Sequence, residues 1–103
     1  MNSLLYRPMT KAESFNESLK RCDRRGMNIC QLRILMTLSS ARKPLSVPEF
    51  VESINYYRQT IVRALESFIN DEVTIDRQPR PLTTFVRISE EGEQALSYIL
   101  EES

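Results

Sequence analysis

The stretch SVPEFVESINYYRQTIVRALESFINDEV, residues 46–73, constrains the fold of this chain more than any other segment. It reads as two short helices joined by a tight turn. Ser46 caps the first helix, Pro48 is tolerated in its first turn, and Phe50, Val51 and Ile54 form its inward face. Asn55 stands where the chain must reverse; after glycine, asparagine is the residue most tolerant of a left-handed turn conformation. The second helix is expected over about residues 57–70. Ile61, Ala64, Leu65, Phe68 and Ile69 recur there at helical spacing as one buried stripe. Gln59, Arg63 and Glu66 fall on the opposite side, with Thr60 and Ser67 on one flank.

The rest of the chain supplies further helices and one change of period. Residues 1–9 are read as an extended segment, since Pro8 disfavours helix at Arg7. Residues 10–103 are read as a single domain. TKAESFNESLKRCDRR places Phe15, Leu19 and Cys22 at helical spacing, with arginines at its C-terminal end and Gly26 as a natural stop. Asn28 caps a second helix in which Ile29, Leu32, Leu35, Met36 and Leu38 are apolar nearly all round, so this helix is expected to be central. ARKPL is a loop or a short extended piece. After residue 70 the period falls to two: Val73-Thr74-Ile75 alternates, as do Thr84, Val86 and Ile88 against Phe85 and Arg87. The prolines of DRQPRPL cannot donate to a sheet ladder, which puts the hairpin tip at residues 76–82. Ser89 caps a last helix whose apolar stripe is Ala95, Leu96, Ile99 and Leu100.

Composition excludes several classes of function. The chain has no histidine, which removes most zinc sites and the commonest general base. No serine or cysteine has an evident activating partner, so neither catalysis nor a metal or other cofactor is expected. The two cysteines, Cys22 and Cys30, read first as small buried hydrophobes; a redox-sensing pair would need low-pKa thiolates near the surface. No apolar run approaches the ~20 residues that span a bilayer. The start MNSLLYRPMT lacks the basic and apolar regions of a signal peptide, and a cytoplasmic location is expected. Net charge is zero but unevenly spread: +6 over residues 1–44, −2 over 45–54, +1 over 55–89 and −5 over 90–103. The acid gathers in the last helix, which can point away from a partner that the basic parts face.

The order helix, helix, helix, helix, hairpin, helix, with these residues, resembles the MarR-type winged helix-turn-helix regulators. The likeness begins at NICQLRILMTLSS, similar to the family's central helix with its glutamine. It strengthens where Ile54, Asn55, Tyr56, Tyr57, Arg58, Thr60, Ile61, Arg63 and Leu65 take the places of the family's Leu-Gly-hydrophobic turn, Ser-Arg-x-Thr-Val start and Arg-x-Leu continuation. It closes at FVRISEEGEQAL, similar to the wing-to-helix run Val-Arg-Leu-Thr-x-x-Gly. Asn55 replaces the turn glycine, and the bulky Tyr57 replaces a small capping residue. The resemblance implies a mainly α fold with a small β-hairpin wing, a winged helix-turn-helix with flanking N- and C-terminal helices. It also implies a homodimer built from the first and last helices, here Phe15 and Leu19 with Leu96, Ile99 and Leu100.

Duplex DNA is the expected partner, on a roughly palindromic site. In the major groove, Arg58, Gln59, Thr60 and Arg63 are the candidate readers, since arginine can take guanine and glutamine adenine through paired hydrogen bonds. Tyr57, at the helix start, is placed to reach a phosphate. Arg80, between Pro79 and Pro81, is the candidate minor-groove contact at the wing tip, with Arg77 and Arg87 as weaker phosphate candidates. Arg33, Arg42 and Lys43 are open to two readings, facing the DNA backbone or, as a charge scatter of this kind usually is, simply solvated surface; Tyr56 reads as a packing residue. The alternative is a winged-helix module that binds another protein through the same face without binding DNA.

Overall fold

The computed structural model describes residues 8–78 and 83–101. Five helices and three strands follow one another: α1 (Lys11–Arg24), α2 (Ile29–Ala41), β1 (Leu45–Ser46), α3 (Val47–Ile54), α4 (Arg58–Glu66), β2 (Val73–Gln78), β3 (Thr83–Ile88) and α5 (Glu90–Leu100). The three strands form one antiparallel sheet in the order β1-β3-β2. This is a winged helix-turn-helix.

Local chemistry explains most of the helix starts. Thr10, Asn28 and Ser46 each accept a hydrogen bond from the backbone three residues on, while Glu13, Gln31 and Glu49 reach back to the cap's own N–H. Ser89 accepts from Gly92 N–H at the head of α5. Asn55 adopts the left-handed conformation (φ 64°) that reverses the chain between α3 and α4.

Helix α2 sits between two apolar clusters. Cys30, Ile34 and Leu38 face α3, α4, β1 and β3, where Phe50, Ile61 and Val86 are fully buried. Leu32 and Leu35 face the opposite way, into Cys22 and Met27 and onto Ala95, Leu96 and Ile99 of α5. Phe68, Val73 and Ile88 pack against both clusters. Side chains of this kind each stabilise by about 1.5–3 kcal/mol when fully buried. Helix α2 is central, as its nearly all-round apolar pattern implies, but not every apolar residue of it is buried: Ile29 and Met36 are 47% and 41% exposed, and with Arg33 they mark a solvent-facing strip.

Two element boundaries also differ from the sequence reading. Helix α4 stops at Glu66, not at residue 70: Ser67 is its C-cap, and the Ser67 hydroxyl donates to the Arg63 carbonyl at 2.6 Å. Beyond it Asp71 turns left-handed (φ 57°), and Glu72 is completely buried, its Oε1 accepting from Asn70 N–H at 2.9 Å. Ser89 N–H donates to the Glu72 carbonyl and Ser89 Oγ to that of Asp71, fixing the route into the sheet. Phe68 is therefore half-buried outside the helix, and Ile69 is 70% exposed rather than part of the buried stripe. In the wing, Asp76, Arg77 and Gln78 are not at the tip but in the ladder, paired with Phe85, Thr84 and Thr83. Each has the N–H that the prolines lack.

Candidate nucleic-acid interface

Helix α4 exposes Arg58, Gln59, Thr60, Arg63 and Glu66, while Ile61, Ala64 and Leu65 are buried beneath them. The polar face is thus the one the helical period requires, and it stands beside the wing. Tyr57, its N-cap, is 86% exposed and makes no side-chain capping bond. The helix has no acidic residue in its first turn, so its first N–H groups and Arg58 present only positive charge. Among the described residues, Tyr57, Arg58, Gln59, Thr60, Arg63, Arg77 and Arg87 have no side-chain hydrogen bond or ion pair within the chain. Their donors are free for an outside partner.

The strand register separates the two wing arginines. Arg77, opposite Thr84, shares a sheet face with Ile75 and Val86, which is the core-facing side. It lines a cleft of about 410 Å³ with Arg58, Val62 and Glu66 of α4 and Pro48 of α3. Arg87, opposite Thr74, lies on the other face. There it lines a separate groove of about 520 Å³ with Arg42, Lys43, Pro44 and Glu93. The structure therefore brings Arg58 and Arg77 together and leaves Arg87 apart. Arg80 and the flanking Pro79 and Pro81 lie outside the described residues.

Sequence reasoning missed one contact at this surface. Arg33 of α2 holds its guanidinium 5.0 Å from the centre of the Tyr56 ring, just before the start of α4. Periodicity carried no signal for it, because Arg33 lies on α2 and Tyr56 in the turn between α3 and α4.

The expected dimer residues are divided by burial. Leu96 and Ile99 are 5% and 0% exposed within the single chain, in the core with Cys22 and Leu35, and so have almost no surface to offer a partner. Arg21 of α1 locks that end, its Nε donating to the Ile99 carbonyl at 2.9 Å and its Nη1 lying 3.4 Å from Glu101. Phe15 is 56% exposed, and Leu19 and Leu100 are half-buried. Tyr98, which the sequence reading passed over, is 41% exposed on α5, with Arg25 stacked 5.8 Å from its ring.

Both thiols are buried and free, and burial raises the pKa of each. Asp23 adds to the effect at Cys22, whereas Arg33 opposes it at Cys30. Cys22 Sγ points at the carbonyls of Met27 and Asn28. These are the surroundings of structural thiols rather than of reactive thiolates. No helix of the described chain is long and apolar enough to cross a membrane.

No family description matches the sequence, and no curated protein matches it. Solved structures do. A mutant of MepR from S. aureus bound to an oligodeoxyribonucleotide superposes with a TM-score of 0.78 at 12% identity, over 98% of this chain and 75% of that one. A MarR-family transcriptional regulator from Silicibacter pomeroyi gives 0.71 at 18% identity, over 87% and 61%. The chain has the MarR-type winged-helix fold. YusO from Bacillus subtilis shares this fold with a TM-score of 0.72 at 16% identity, over 96% of this chain and 67% of that one. The chain thus spans 61% to 75% of the lengths of these three MarR-fold neighbours.

Proposed function

We propose that this chain is a sequence-specific, duplex-DNA-binding transcriptional regulator of the MarR type, acting in the cytoplasm rather than as an enzyme. The observation that carries the reading is the exposed, unpartnered face of Arg58, Gln59, Thr60 and Arg63 on a helix whose N-terminus is uncapped and free of acids. Helix α4 enters a major groove, where Arg58, Gln59, Thr60 and Arg63 meet base edges and Tyr57 a phosphate. Arg77 reaches backbone phosphate across the cleft it shares with Arg58, and the wing tip near Arg80 enters the adjacent minor groove. Arg87 stands on the far face of the wing and serves the flanking backbone.

The unit is a homodimer joined through exposed parts of α1 and α5, with Phe15, Leu19 and Leu100 at the contact. Its site is roughly palindromic, with half-sites about one helical turn (~34 Å) apart or a multiple of it. The oligonucleotide held by the MepR mutant supports the choice of DNA.

The test is selection of duplexes from a random pool, followed by retardation at several salt concentrations with wild-type protein and Arg63→Ala. Binding that weakens with salt and loses sequence preference in the variant supports the regulator. A folded dimer that retains no duplex at low salt overturns it in favour of a protein-binding module.

A further inference from the structure

We infer that Arg33 belongs to the DNA-contacting surface, as a phosphate contact held in position by the ring of Tyr56. The inference rests on the DNA-binding reading above and adds an α2 residue to it. Arg33 is exposed, and among the described residues its guanidinium has no hydrogen bond or ion pair. Its guanidinium lies 5.0 Å from the Tyr56 ring centre, within the range in which the ring quadrupole attracts a cation.

Tyr56 is well fixed for this task. Its side chain is half-buried against the cluster of Phe50, Ile54 and Ile61, and it immediately precedes the N-cap of α4. A long arginine side chain that would otherwise sample many rotamers is thereby parked at the point where the recognition helix begins. Stacking engages the flat face of a guanidinium and leaves the N–H groups around its edge free. Those edge donors match the paired oxygens of a phosphate. The N-terminal residues of a recognition helix are the ones nearest the bases, so a cation beside that terminus faces the backbone flanking the groove.

Salt dependence separates a phosphate contact from a merely structural arginine. Affinity for a selected duplex is measured between 50 and 200 mM salt for wild type, Arg33→Gln, Arg33→Lys and Tyr56→Phe. Arg33→Gln is expected to flatten the slope of log affinity against log salt by about 0.9 for each protomer bound. Over that fourfold salt range this is a loss of affinity about 3.5-fold smaller per protomer. Arg33→Lys keeps the slope but binds more weakly, having lost the fork, and Tyr56→Phe keeps both slope and affinity because the ring remains. An Arg33→Gln slope equal to wild type overturns the inference, whatever its affinity. If wild type itself retains no duplex at 50 mM, the DNA reading fails and this inference fails with it.

Discussion

Gln31 Nε2 donates a hydrogen bond to the Ala64 carbonyl at 3.1 Å, joining the first turn of α2 to the C-terminal half of α4. The same side chain accepts from Asn28 N–H at 2.8 Å through its Oε1, and Asn28 Oδ1 in turn accepts from Gln31 N–H. One buried amide therefore completes a capping box and sets the depth at which α4 lies against α2. Gln31→Leu fills the space but leaves the Ala64 carbonyl and the Asn28 N–H without these partners. The expected cost is about 1–3 kcal/mol, read as a lower urea midpoint with unchanged slope. A variant as stable as wild type would show that the bond carries no net weight.

Gly92 allows the start of α5 to approach the β2 end of the wing more closely than any other residue could. A Cβ there would stand 2.1 Å from the Glu72 carbonyl oxygen and 2.8 Å from Ile88 Cγ1. The first of these is backbone, pinned by the Ser89 N–H, and cannot swing aside. Gly92→Ala is expected to cost about 3 kcal/mol or more, at or beyond the upper end of ordinary overpacking. Thermal melting checks this, and a melting temperature within a few degrees of wild type would contradict the placement of α5.

Much of this architecture was legible in the sequence because its signals are local. The caps Asn28, Ser46 and Ser89 lie beside the helices they start, and Asn55 marks its turn by its own conformational tolerance. The end of α4 was not legible, since Phe68 and Ile69 continue the helical period past the Ser67 cap. What stops the helix is the burial of Glu72 and its contacts with Asn70 and Ser89, which depend on α5 folding back. The separation of Arg77 from Arg87 needed the strand register, and the Arg33–Tyr56 stack needed the packing of α2 on the turn. Leu96 and Ile99 look the same in sequence whether they face a partner or α1 and α2; burial in the single chain decides it.

Acid should loosen the start of α3. Glu49 accepts from Ser46 N–H at 2.9 Å and from Ser46 Oγ at 3.0 Å, which lowers its pKa below the ordinary value of 4.5; Lys43 adds to the lowering. A carboxylate depressed in the folded state contributes stability that is fully present above its unfolded pKa. That contribution is lost as pH falls through the lower folded value. Urea midpoints measured from pH 6 downward should therefore drop more for wild type than for Glu49→Gln, whose amide does not titrate. Parallel acid limbs for the two proteins would remove Glu49 from the pH response.

The cysteines should be inert until the fold opens. Burial raises both pKa values, so at a given pH less thiolate is present than on an exposed cysteine. Alkylation of native protein at pH 8 should be slow at Cys22 and Cys30, while denatured protein should take up label at both. Rapid native labelling at either position would reopen a redox role.

The most direct test of the central claim is methylation interference on a selected duplex, since guanine N7 lies in the major groove and adenine N3 in the minor groove. Helix α4 in the major groove predicts that N7 methylation blocks binding at discrete guanines in two clusters about one helical turn, or a multiple of it, apart, and that Arg63→Ala loses part of this pattern. Retention of the duplex with no interference at any guanine N7, or a pattern unchanged in Arg63→Ala, would contradict it.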